Sequence, residues 1–186
     1  MSSIKQGIIF LSISLFSVSG QLYATESEHE QHEAHVHGEA QLLIALEGDT
    51  LEIEFLSPAM NIVGFEHQPQ TETQADAVEA AIDTLKQPHL LFSLPSAAKC
   101  DPVTIEVETP LSKHDAHAHE HAHKEESHSD FTSHYHFQCG DISRLDRIEI
   151  ELFKRFPGTH LIEVQSISNN GQQKIDLTPE HSTLEL

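Results

Sequence analysis

The sequence predicts an α+β domain with a mainly antiparallel sheet, one helix, a disulfide and a disordered His-rich loop. Three observations carry that expectation. Apolar and polar residues alternate with period two in about seven short segments, as in half-buried strands. One segment instead follows the three-and-four spacing of a helix face. Two cysteines, Cys100 and Cys139, bracket the most histidine-dense tract of the chain.

The first residues stand outside the fold. Lys5 precedes an apolar stretch from Ile8 to Val18, and Leu22-Tyr23-Ala24 has the form of a signal-peptidase site, so residues 1–24 read as a cleaved secretory signal. That apolar run is shorter than the roughly 20 residues a membrane span needs, so no membrane anchor is expected. Residues 25–34, TESEHEQHEA, have little to bury and read as a disordered tail. Order begins with a hairpin. Ala40, Leu42, Ile44 and Leu46 alternate before Glu47-Gly48-Asp49-Thr50, and Leu51, Ile53 and Phe55 alternate after it. Pairing Glu47 with Thr50 sets Leu46, Ile44 and Leu42 opposite Leu51, Ile53 and Phe55. Extended past Pro58, the same register sets His37 opposite Met60 and His35 opposite Ile62.

Residues 61–68 read as a turn. A helix follows: Thr73 with Asp76 resembles a capping box, Ala75, Val78, Ile82 and Leu85 share a face, and Pro88 stops it. Val103, Ile105 and Val107 alternate as a strand, and Tyr135, Phe137 and Cys139 mark another beyond the His-rich tract. Strands are expected at 147–153, 161–167 and 174–177, the last two joined across Ser168-Asn169-Asn170-Gly171. In an exported chain the two cysteines are expected to pair. Closing a loop of that length stabilises by about 4 kcal/mol in the chain-entropy model.

Composition narrows the function. Thirty acidic side chains against ten basic ones give a net charge of -20, which repels phosphate backbones and argues against nucleic-acid partners. The 16 histidines need an explanation. Six of them, His114, His117, His119, His121, His123 and His128, crowd one acidic tract that cannot build a core but offers imidazole and carboxylate donors to Zn(II), Ni(II), Cu(II) or Co(II). A solvated linker or a pH-sensing loop are the competing readings of that tract. A second constellation has geometry behind it. His35 and His37, spaced by two, share one face of an extended strand, and His67 lies on the segment the register brings near them. Glu39, Glu54 or Glu66 could complete a tetrahedral site. Two histidines in alternation on a polar strand face are more often merely solvated. His134 and His136 flank Tyr135 on one strand face and are weaker ligand candidates, while His89, His160 and His181 read as structural or solvated. No HExxH, GxSxG, CxxC or phosphate-binding glycine loop occurs, so no enzyme is expected.

HVHGEA from His35, LEIEFLSPAMNIVGFEH ending at His67, the cysteine after Ala97-Ala98-Lys99, FTSHYHFQC ending at Cys139, LFKRFPG from Leu152 and the terminal DLTPEHSTLEL together resemble the ZrgA family. That resemblance implies a periplasmic zinc-binding protein associated with an ABC-type zinc importer. It carries ligand roles over to His35, His37 and His67. The expected organisation is a signal peptide at 1–24, a tail at 25–34, and one zinc-binding domain at 35–186 with its His-rich loop at 112–129. A periplasmic nickel, copper or zinc buffer or resistance protein without a transporter partner is the alternative reading.

Overall fold

The computed structural model describes residues 36–112, 129–168 and 171–186. The expected signal peptide, the polar tail, His35 and the six tract histidines lie outside the described residues. The α+β expectation holds. The described residues form nine strands, three helices and three short 3₁₀ turns.

The hairpin forms in the expected register. Strand β1 (Glu39–Glu47) and strand β2 (Thr50–Pro58) pair with Glu47 opposite Thr50, Ile44 opposite Ile53 and Leu42 opposite Phe55. The chain then departs from the expected turn. Pro58, which fixes its own φ and offers no N–H, caps a five-residue helix, α1 (Ala59–Val63), ended by Gly64 in the left-handed region. The long helix α2 (Glu72–Leu85) starts earlier than Thr73 suggested. Its cap is Thr71, whose Oγ1 accepts the Gln74 N–H at 3.2 Å, while the Gln74 side chain accepts from the Gln70 N–H at 2.8 Å. Threonine followed three residues later by glutamine is the better match to a capping box.

Beyond α2 come β3 (Phe92–Ser93), β4 (Cys100–Glu108), β5 (Asp130–Cys139), β6 (Arg147–Ile150), α3 (Leu152–Arg155), β7 (Leu161–Ser168), β8 (Gly171–Leu177) and β9 (Thr183–Glu185). The strand expected through residue 153 stops at Ile150, and Leu152 and Phe153 are buried from the short helix α3 instead. β4, β5, β2, β1, β7 and β8 make one sheet in that order. Within it β1 and β7 run parallel, Glu39 opposite Leu161, and the other neighbours run antiparallel. β3, β6 and β9 form a small second sheet. Of these only β6 was foreseen; β3 and β9, of two and three residues, are too short for alternation to announce them.

One face of the large sheet is the core. Leu42, Ile44, Ile53, Phe55, Phe131, Tyr135, Ile162 and Val164 pack there with Val78 and Leu85 of α2, Phe92 and Ile148 of the small sheet, and Leu152 of α3. The opposite face is open: Leu43, Glu52, Glu54, His134 and Gln165 line a recess of about 730 Å³ on it. Among the described residues no helix is long and apolar enough to cross a membrane.

Tyr135 ties the core to the helix. Its ring meets Phe92 edge-on at 5.2 Å, and its hydroxyl donates to the Leu85 carbonyl at 2.9 Å. Tyr135→Phe is expected to cost about 1–2 kcal/mol in urea denaturation, since it leaves that buried carbonyl unpaired. Burial also pushes the phenol well above its ordinary range. The folded-state pKa is raised, so the contribution is complete below about pH 10 and is lost as the unfolded tyrosine ionises above it. The phenylalanine variant should therefore lose less stability than the parent between neutral and strongly alkaline pH.

Candidate metal centre

The HVHG motif sits at the entrance to β1. Gly38 has φ +90°, a conformation that favours glycine, and the His160 ring is 3.1 Å from where a β-carbon would project. The register that would have carried pairing back to His37 does not extend there. β1–β2 pairing ends at Gln41 opposite Leu56, because α1 begins where the partner strand would continue. A side chain replaces the ladder. The Gly38 N–H donates to Asn61 Oδ1 at 2.7 Å, and Asn61 Nδ2 donates to the Glu39 carbonyl at 2.8 Å and to Ser57 Oγ at 3.2 Å. Asn61 is 4% exposed, so α1 is stitched to the motif through a buried amide.

This stitching brings the two histidine motifs together by another route. His37 Nε2 donates to Glu66 Oε1 at 3.1 Å. In a neutral imidazole that bond leaves the Nδ1 lone pair for a ligand. Next to Glu66, His67 stacks on Phe65 with centroids 5.2 Å apart, and its Nδ1 donates to the Gln68 carbonyl at 2.9 Å, leaving the Nε2 lone pair. Each imidazole thus has one nitrogen held by the protein and one able to coordinate, the arrangement that fixes a metal-ligating histidine. Imidazole and carboxylate together suit Zn(II).

The remaining candidates divide. Glu39 is exposed at the start of β1. Glu54 belongs elsewhere: it faces His134, at 3.8 Å from Nδ1, rather than the N-terminal motif, because β2 pairs with β5 on its other side. His134 and His136 do share the open face of β5. His160 was not expected near the motif. The parallel β1–β7 pairing sets it there, its N–H donating to the Gly38 carbonyl at 2.7 Å, and no local sequence signal foretells a partner so distant in the chain. Among the described residues no group of three His, Cys, Asp or Glu side chains already converges on one point.

The His-rich tract is rooted in structure at both ends. Leu111 and Ser129 are buried on either side of it, and the Cys100–Cys139 disulfide joins β4 to β5, the strands that lead into and out of it. The Gln68 side chain donates to the Pro110 carbonyl at 2.7 Å. The segment carrying His67 therefore touches the root of the tract.

Residues 34–186 match the family model described as ZrgA family zinc uptake protein. The chain belongs to the ZrgA family. The match spans the hairpin, the Asn61 junction, the tract and both sheets, so the whole described domain is a ZrgA domain. No curated protein matches the chain. As a member of a zinc uptake family, the protein has a role tied to zinc and its transport, and the donors gathered around His37, Glu66 and His67 are chemically apt for that ion.

Proposed function

We propose that this ZrgA protein captures Zn(II) in the periplasm and supplies it to an ABC-type zinc importer, without catalysing a reaction. His35, His37 and His67 are the affinity-setting ligands in this reading, with Glu66 beside them, and the six tract histidines gather ions at lower affinity. Export rests on the signal expected at residues 1–24. The observation that supports the ordered site best is the His37–Glu66 contact, which links the HVHG and GFEH motifs across 29 residues of chain. The tract's supply role is supported by the Gln68–Pro110 bond, which sets its root beside the same segment. A net charge of -20 raises the local cation concentration around both.

Titration calorimetry with Zn(II) on the processed chain, with and without residues 113–128, separates the two. The deletion variant is expected to keep tight zinc binding and lose the weaker equivalents. His37→Ala with His67→Ala should weaken the tight event by at least 10–100-fold, the loss typical when even a ligand's supporting group is removed. A deletion variant with no tight zinc binding would sink the ordered site. Zinc accumulation by zinc-starved cells lacking the protein should fall; unchanged accumulation would favour a buffer over a supplier.

A further inference from the structure

The open face of the large sheet carries a second constellation, built on β5 and its two neighbours. On that face His136 stands between Glu52 of β2 and Thr104 of β4, and His134 stands between Glu54 of β2 and Glu106 of β4. Both imidazoles turn Nδ1 toward β2: His136 Nδ1 donates to Glu52 Oε1, and His134 Nδ1 lies 3.8 Å from Glu54 Oε2. The Glu52 carboxylate on His136 Nδ1 fixes that ring's tautomer and leaves its Nε2 with a lone pair, while Glu54 lies just outside hydrogen-bond distance of His134. Glu106 lies across the β5–β4 ladder from His134, and both histidines, Thr104 and Glu106 line a recess of about 310 Å³ with Glu52 and Val103.

Glu106 reaches this face only through an irregularity. The β4–β5 register shifts between Pro102 and Thr104, inserting Val103 as an extra residue. Without that bulge Glu106 would fall opposite Ser133, which is fully buried on the core side, and Ile105 would face His134. Val103, expected on the face of Ile105 and Val107, is instead 63% exposed. Bulges re-aim side chains in this way. The backbone beneath is held firmly, with Tyr135 buried between the two histidines and Cys139 bonded to Cys100.

We propose that His134, His136 and Glu106 bind a divalent cation of the Zn(II) class on this face, with Glu52 orienting His136 and Glu54 beside His134. His134 and Glu106 are exposed and His136 is half-buried, so rotation of the side chains can close the three donors on one ion. Two imidazoles at a spacing of two on one strand face, with a carboxylate from the next strand, supply three ligands and leave a position for water. The site depends on the zinc reading above only for the choice of ion. It shares no ligand with the His35, His37 and His67 set.

The test is a Zn(II) titration of the processed chain followed by the imidazole nitrogen resonances of His134 and His136. Both Nε2 signals are expected to shift together and saturate with one midpoint. Glu106→Gln should raise that midpoint, and Glu52→Gln should raise it about 10-fold by loosening the His136 tautomer. His134→Gln with His136→Gln should remove one zinc equivalent and leave the fold intact. In a protein carrying His35→Ala, His37→Ala and His67→Ala the two signals should still respond, so failure of the first site leaves this readout standing. Signals unmoved by equimolar zinc, separate midpoints for the two histidines, no effect of Glu106→Gln, or loss of the response in the triple variant would each overturn the proposal.

Discussion

Asn61→Ala is expected to destabilise the domain by about 3 kcal/mol and to weaken zinc binding through His37 and His67. The amide satisfies the Gly38 N–H and the Glu39 carbonyl at once, and alanine leaves both without a partner where water is largely excluded. Each such orphan costs about 1–3 kcal/mol. The neighbourhood cannot relax easily. Gly158 packs so closely that a β-carbon there would lie 2.6 Å from the Asn61 carbonyl oxygen, which pins α1 against the turn after α3. Binding should suffer with stability because Asn61 is what holds the HVHG turn beside the segment bearing Glu66 and His67. Chemical denaturation read with zinc calorimetry on the same variant checks both effects. A loss below 1 kcal/mol, with zinc affinity unchanged, would mean that the amide neither seals the junction nor positions His37.

Replacing both Cys100 and Cys139 by alanine should cost about 4 kcal/mol, the loop-closure value for a separation of 39 residues. The effect should be visible as a lower denaturant midpoint that no longer responds to reductant, whereas the parent loses the same increment on reduction. β4 is an edge strand of the large sheet, paired only with β5 among the described strands. Freed of its covalent clamp it would also present unpaired backbone, and edge strands so exposed template aggregation. Light scattering of the reduced parent at moderate denaturant should therefore rise before unfolding is complete. Equal midpoints with and without reductant would show that native contacts alone hold the base of the His-rich tract.

How much of this was readable beforehand depended on range. The hairpin was legible because its alternation and its Gly48-Asp49 turn are local, and they alone dictate that Leu42 meets Phe55. The disulfide was legible from the even cysteine count together with the secretory signal expected at residues 1–24. Helix α2 was recognised, yet its start was placed two residues late, since both Thr71 and Thr73 offer a capping hydroxyl and only the first has glutamine three residues on. The proximity of His37 to the GFEH segment was expected for a different reason from the one that produces it. Alternation suggested that the ladder would continue past Pro58, whereas a buried asparagine side chain takes over where the ladder ends. His160 beside Gly38, and Glu106 beside His134, could not be read at all. The first needs a parallel pairing between distant strands and the second a one-residue bulge, and neither leaves a periodic trace.

The parallel pairing of β1 with β7 also sets an order of events. Glu39 and Leu161 are neighbours in space but 122 residues apart in the chain, so β1 gains its second partner only after nearly the whole domain has been made. Contacts of that separation carry the largest loop-closure entropy and form late. The HVHG turn is therefore made early, while His160 and the seat it provides for Gly38 arrive near the end. Until then the turn bearing His37 lacks the seat that His160 gives Gly38 and is held only from the Asn61 side. In the proposed reading, metal capture is deferred to the finished molecule.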